Sequence, residues 1–315
     1  MNGLLIIDKP AGPTSHDVVA RMRRVLRERR VGHTGTLDPM ATGVLPLVLG
    51  HATRLAKFMS ASDKAYDAVV RLGVSTDTGD AQGTSIGHVA SGPWPTREAI
   101  DAALDAFRGT FQQQPPAFSA KRIDGTRSYK LARQARRHAD ARSTLPAPPA
   151  PLAPPALPAP TSVTVRRLEI VSVEADVVTL TLDCSAGFYV RSLAHDLGAR
   201  LGIGAHLVAL RRTRSGDFGL DAAIALDDAE RDPWRAMRHV IAPAQMLPGL
   251  PAVVLTQQGV RRARNGRNLG RDEVEESGKI PVPRFVRLLD SAGDLVGIGE
   301  PATAPGLLHP LVVLG

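Results

Sequence analysis

Between Pro146 and Pro160 eight of the fifteen positions are proline and the remainder are Ala and Leu. Proline has no N–H to donate and a fixed φ, so this stretch can enter neither a helix interior nor a central strand and reads as a polyproline-like excursion. It is flanked by a basic, helix-like segment at residues 129–142 and by a strand-like run at 163–173. The stretch is therefore expected to be an insertion, at about residues 143–161, within one domain. Whatever core the chain has must be assembled from the segments on either side of it.

Those segments show both kinds of periodicity. An apolar run at residues 4–7 reads as a strand, and Val18, Met22 and Val25 recur at helical spacing over 15–30, with Arg21, Arg24 and Arg27 on the other face. Strands are expected at 44–49 and at 66–72, where Tyr66, Ala68, Val70 and Leu72 alternate with smaller or polar residues. A helix at 96–107 would bury Ile100, Leu104 and Phe107. Two β-rich runs, 163–173 and 177–183, lead through Gly187 into a helix carrying Val190, Leu193, Leu197 and Leu201. Strands and helices without regular βαβ alternation indicate an α+β fold with a mixed, mostly antiparallel sheet. From about residue 251 a short helix at 256–264, a basic Gly-containing loop and a hairpin over 285–299 suggest a small β-rich appendage. The expected domains are 1–248 and 249–315.

Charge narrows the partners. The chain has 39 Lys and Arg against 31 Asp and Glu, a formal charge of +8. The excess is clustered: residues 119–145 hold eight basic and two acidic side chains, 200–215 four and none, 261–271 five and none. One such cluster can be a solvated helix face; several together point to a polyanion such as RNA, where Lys and Arg displace condensed counterions. The single cysteine, Cys184, forbids an intrachain disulfide and a multi-cysteine metal site. The four apolar residues before Asp8 are too few for a secretory signal and no 18-residue apolar stretch occurs, so a cytoplasmic chain without a membrane span is expected.

Several chemistries lack their residues. A dinucleotide site needs Gly-x-Gly-x-x-Gly between a strand and a helix; Gly297 and Gly299 stand too near the end, with Pro301 following. No Gly-x-x-x-x-Gly-Lys-Ser/Thr phosphate cradle occurs, and a zinc deaminase would need paired cysteines. His33, His51, His195 and His206 have no metal-ligand spacing, and no metal site is expected. What stands out is Val31-Gly-His-Thr-Gly-Thr-Leu-Asp-Pro-Met-Ala-Thr-Gly43, three glycines and a proline around one carboxylate, Asp38. Such a loop can present that carboxylate from a fixed backbone into a cleft, or Asp38 can simply form an Asx turn ahead of Pro39.

The segment Gly35-Thr-Leu-Asp38-Pro-Met-Ala-Thr-Gly43, preceded by Gly32-His33-Thr34, resembles the catalytic motif of the bacterial tRNA pseudouridine-55 synthases. The resemblance continues in order through Leu5-Ile-Ile-Asp8-Lys9-Pro10 with Thr14-Ser15, Asp63-Lys-Ala-Tyr66, Gly73 to Gly83 with Thr76-Asp-Thr78, and Gln114-Pro-Pro116 to Ser119-Ala-Lys121. It extends to Cys184-Ser-Ala-Gly187-Phe-Tyr189-Val-Arg191 and Gly204-Ala-His206 to Leu210-Arg-Arg212, covering roughly residues 3–220. It implies the pseudouridine synthase catalytic fold, and the tail is similar to the small PUA-like RNA-binding domain these enzymes append.

The resemblance also implies roles. Asp38 would be the catalytic carboxylate, acting on a flipped-out uridine. Tyr66 would stack on the extruded base and help remove its C5 proton; as a strand residue it can equally be a core aromatic. Arg191 would pair with the catalytic aspartate and hold it ionised, or else lie on a helix's solvent face. His33 would brace the RNA loop as the target leaves its stack. Lys9 and Pro10 match a pair beside the active site, and Tyr189, Lys121, Arg211 and Arg212 would complete the substrate-binding set. The implied partner is the T arm of tRNA, bound by a monomer with no obligatory protein partner. The reaction, moving C1′ from N1 to C5 of uracil, calls for no cofactor. A non-catalytic tRNA-binding or tRNA-folding protein on the same scaffold is the alternative, and a guide-dependent relative acting on ribosomal RNA a second one.

Overall fold

The computed structural model describes residues 1–119, 121–123, 125–128, 131, 134, 157–275 and 284–314. The basic helix expected at 129–142 and most of the proline-rich insertion lie outside the described residues. In chain order the main elements are β1 (Gly3–Lys9), α1 (Ser15–Val25), β2 (Val31–His33), β3 (Thr42–Leu49), β4 (Lys64–Leu72), α2 (Arg97–Leu104), β5 (Gly109–Gln113), β6 (Thr161–Glu174) and β7 (Val177–Cys184). They are followed by α3 (Val190–Arg200), β8 (Ala205–Ser215), β9 (Ala223–Ala225), β10 (Ala252–Val254), α4 (Gln257–Arg264), β11 (Val286–Leu289), β12 (Leu295–Pro301) and β13 (Leu308–Val313).

The chain divides into two units, Met1–Ser62 with Arg212–Gly315, and Asp63–Arg211; the boundary falls inside β8. In the first, β1 pairs antiparallel with β3 from Gly3↔Leu49 to Lys9↔Gly43, and parallel with β9 from Ile6↔Ala223. The short β2 adds to β3 through His33↔Leu47. Leu4, Ile6, Val44 and Val48 point to one side of these strands and bury against Met246, Leu247 and the C-terminal residues Leu295, Ile298 and Val312. Period-2 alternation explains the choice, since same-face residues along a strand are two apart.

The C-terminal residues build a four-stranded sheet in the order β10-β11-β12-β13, with the first pair parallel and the others antiparallel. Its β11–β12 hairpin turns at Asp290, whose Oδ1 accepts from Ala292 N and Asp294 N at 3.0 and 2.9 Å, with Gly293 at φ +84°. α4 starts where Thr256 Oγ1 accepts the Gly259 N–H at 3.1 Å. With Val253, Leu255, Ala263, Val286 and Leu288 it closes a second core.

The second unit carries an antiparallel sheet in the order β4-β7-β6-β5. Tyr66 stands opposite Leu182 and Lys64 opposite Cys184. β6 and β7 form a long hairpin whose turn holds Ala175 at φ +51°, and register shifts between Val165/Arg167 and Ile170/Ser172 bend β6. The α+β class and the mixed, mostly antiparallel sheets agree with expectation. Among the described residues no helix is long and apolar enough to cross a membrane.

Two expectations change. α1 ends at Val25 rather than near residue 30, because Arg27 turns left-handed (φ +51°) and Glu28 accepts from the Met1 ammonium at 3.1 Å and from Arg30 N at 2.9 Å. β2 follows directly at Val31–His33. The basic stretch near 205–215, for which no strand was expected, is the eleven-residue β8.

Candidate active site

The Asp38 loop is anchored from within its own unit. α1 opens with a capping box: Thr14 Oγ1 accepts from Asp17 N at 3.1 Å, and the Asp17 carboxylate accepts from Thr14 N at 2.8 Å. The hydrogen bonds from Thr14 hold the Asp17 carboxyl below the usual carboxylate range. This places Ser15 under the loop, where its Oγ accepts from Leu37 N at 2.8 Å and donates to Leu37 O at 3.1 Å. Beside it Gly12 N donates to Pro39 O at 2.8 Å, and Thr34 N to Pro46 O at 3.2 Å. The residue between these anchors, Asp38, is half-buried.

Lys9 is fully buried, and its Nζ donates to three backbone carbonyls: Pro13 at 2.8 Å, Pro10 at 2.9 Å and Pro39 at 3.2 Å. An ammonium has three protons, so every donor has an acceptor. Burial pushes the Lys9 pKa down to about 8; the nearby charge of Asp38 acts against that shift and the charge of Arg212 adds to it. Arg212 is also buried, with Nε donating to Val44 O at 2.7 Å and Nη2 to Gly35 O at 3.0 Å. Lys9 and Arg212, both placed in the substrate-binding set by the resemblance, have buried cationic heads: Lys9 donates to three main-chain carbonyls and Arg212 to two, all from the loop and its flanks. Strand pleating separates Arg211 from Arg212, sending adjacent side chains to opposite faces, so Arg211 stays half-buried while Arg212 turns inward. Pro10 is exposed, and half-buried His33 closes β2 with its ring edge-on to His16, centroids 5.1 Å apart.

In the second unit, Tyr189 caps the start of α3 and is clamped by one amide. Gln113 Oε1 accepts from Tyr189 N at 2.8 Å and Gln113 Nε2 donates to Tyr189 O at 3.0 Å. Two residues on, Arg191 is buried; its Nη1 donates to Thr78 O at 3.0 Å and its Nη2 to Phe118 O at 2.7 Å. Asp80 Oδ2 lies 3.8 Å from Arg191 Nη1, while Asp80 Oδ1 accepts from Thr78 Oγ1 at 2.7 Å and Gln82 N at 3.0 Å. Arg191 is therefore no solvent-face arginine. Tyr66 is nearly buried on β4. Lys121 is half-buried where a two-residue-strand hairpin begins, its carbonyl accepting from Ser128 N at 2.7 Å.

Sequence reasoning singled out neither Asp80, Gln113 nor Ser15. Asp80 had one available signal, its place with Asp77 among the glycines of 73–83; Gln113 and Ser15 act through backbone groups that no residue type announces. Among the described residues no three or more His, Cys, Asp and Glu side chains gather as a metal site.

The comparisons give this geometry its setting. Residues 23–145 match the model of the TruB family pseudouridylate synthase N-terminal domain, and 191–247 that of the tRNA pseudouridylate synthase B C-terminal domain. The chain is 40% identical over 316 residues, covering all of both chains, to a tRNA pseudouridine synthase B of Solibacter usitatus. It is 41% identical to that of Geobacter sulfurreducens, over 91% of this chain and 89% of the relative. Among solved structures, an H/ACA RNP bound to a substrate RNA containing 2'-deoxyuridine matches with a TM-score of 0.71 at 25% identity, over 99% of this chain and 85% of that one. A Cbf5–Nop10–Gar1 complex matches with a TM-score of 0.68 at 26% identity, over 95% and 78%. The fold and the loop motif are those of the pseudouridylate synthases. Within them, the chain belongs to the TruB family.

Proposed function

We propose that this chain isomerises uridine 55 in the T loop of tRNA to pseudouridine, with Asp38 as the nucleophile on a flipped-out uridine. The observation that carries the reading is the Asp38 loop, a single carboxylate between glycines, fastened on one side by Lys9 and on the other by Arg212. In the reaction the C1′–N1 bond breaks, the uracil turns, and C1′ joins C5; the C5 proton leaves to solvent and N1 takes one up. Atoms and oxidation state are conserved, so no electron acceptor enters. What the protein must supply is a fixed charge at the sugar–base junction and a place for the detached ring.

Tyr66 stacks on the extruded uracil and assists loss of its C5 proton, and Arg191 stabilises the ionised carboxylate. His33 braces the emptied stack, since extruding a base costs its stacking. Pro10, Tyr189, Lys121 and Arg211 belong to the RNA-contacting set, phosphate contacts giving position and the pocket giving specificity. Residues 249–315 serve as a PUA-like RNA-binding appendage through the basic run 261–271. The enzyme works in the cytoplasm as a monomer without an obligatory protein partner.

The test is tritium release from C5-labelled uridine in an unmodified tRNA transcript, with wild-type protein and Asp38→Asn. Wild type releases tritium and Asp38→Asn is slower by about 10⁴-fold or more, with tRNA affinity within a few-fold, because the change removes charge and keeps shape. No release from wild type together with tight binding would assign the chain to tRNA binding or folding without catalysis.

A further inference from the structure

We propose that Arg212 is a positioning residue for the isomerisation, fixing the two ends of the loop that carries Asp38; this rests on the reading of Asp38 given above. A guanidinium buried this deeply is unfavourable unless its donors find acceptors, and a similarly sized apolar side chain would fill the volume without that desolvation. The acceptors here are not scattered. Nε meets Val44 O at 2.7 Å, just after the loop, and Nη2 meets Gly35 O at 3.0 Å, just before Asp38. One rigid fork thus ties entry to exit across the ten residues from Gly35 to Val44, which a lysine's single ammonium on a flexible stem would reproduce poorly.

The loop is also shaped around the arginine's own backbone. Gly43 sits at φ +98°, and a Cβ there would lie 2.2 Å from Arg212 O. The chain can pass Arg212 this closely only with glycine at that position. Lys9 completes the arrangement on the opposite side through Pro39 O at 3.2 Å. The segment from Gly35 to Pro39 is therefore gripped at both ends by buried cations, with Asp38 one residue from the second grip. Because Arg212 is enclosed, it acts on the loop and not on RNA phosphate.

The experiment compares Arg212→Met and Arg212→Lys in the full chain, measuring single-turnover tritium release, tRNA affinity and the salt dependence of binding. Arg212→Met is expected to slow turnover by about 100-fold, the scale of a displacement near 1 Å at a reacting group, with affinity within about two-fold and an unchanged salt slope. Arg212→Lys recovers part of the rate. Turnover of Arg212→Met close to wild type overturns the proposal, as does loss of affinity with a shallower salt slope, the mark of a phosphate contact. If Arg212→Met does not fold, Arg212→Lys decides: a lowered rate with affinity held supports positioning, and a wild-type rate or lost affinity overturns it. A wild-type protein that released no tritium would instead defeat the functional reading.

Discussion

Two glycine-containing loops, one in each unit, are held by opposite chemistry. The loop around Asp38 is fixed by cations, Lys9 and Arg212, whose head groups donate to main-chain carbonyls. The loop at residues 76–84 is fixed by a carboxylate, Asp80, which accepts from Thr78 Oγ1 and Gln82 N and faces the guanidinium of Arg191. Carbonyl partners are dipoles and leave a cation's net charge in place; a carboxylate partner offsets it. The first loop therefore places positive charge around its carboxylate, whereas the second ties a positive side chain to a negative one. The first loop thus sets cations near Asp38, and the second sets the direction of one guanidinium.

The largest effect expected from this contrast is in the second loop. Asp80→Ala removes the carboxylate facing a buried arginine, and with it the oxygen that accepts two hydrogen bonds within the loop. Breaking a buried pair by deleting one partner costs about 3–5 kcal/mol, and the 3.8 Å separation puts this one toward the lower end. Urea unfolding measures it. A loss below about 1 kcal/mol would mean that the carbonyls of Thr78 and Phe118 suffice for Arg191, and the two loops would then be held alike.

Much of this contrast was hidden in the sequence for a physical reason. Strands β1, β3, β4, β6 and β7, helices α2, α3 and α4 and the C-terminal hairpin were legible because side-chain period and turn residues act locally, and Asp38 was legible because three glycines and a proline surround one carboxylate. What lies across the fold was not. Arg211 and Arg212 are identical in type and adjacent, and only the pleat of β8 decides which of them faces inward. Lys9 looks like a surface lysine at a strand end until Pro10, Pro13 and Pro39 bring their carbonyls around it. Asp80 gains its meaning only when α3 brings Arg191 beside it.

The buried cation in the first loop should show in the pH dependence of stability. Lys9 gives up its proton near pH 8 in the folded chain and near its ordinary 10.5 when unfolded. Between those values the unfolded chain binds more protons, so stability rises with pH; below about 8 and above about 10.5 the contribution is level. The unfolding free energy of wild type relative to Lys9→Met is therefore expected to climb through that window by about 3 kcal/mol at most. A flat difference would show that the attraction of Asp38 balances burial and a falling one that it outweighs burial, and in the falling case the loop's cation would be held by charge pairing, like the second.

The smallest effect separates the two neighbouring arginines of β8. Arg211→Ala should cost less unfolding free energy than Arg212→Met, because the Arg211 side chain is half-buried whereas that of Arg212 is enclosed. If it meets a phosphate, the slope of log affinity for tRNA against log salt falls by about one, and affinity weakens similarly for any RNA of the same shape. The turnover rate of the bound complex should not move. Arg212→Met should behave in the opposite way, losing rate and keeping the slope. An unchanged slope in Arg211→Ala would take Arg211 out of the RNA interface. A changed slope in both variants would mean that the inward turn of Arg212 is not maintained when RNA is bound, and the cation-held loop would then be a feature of the free protein alone.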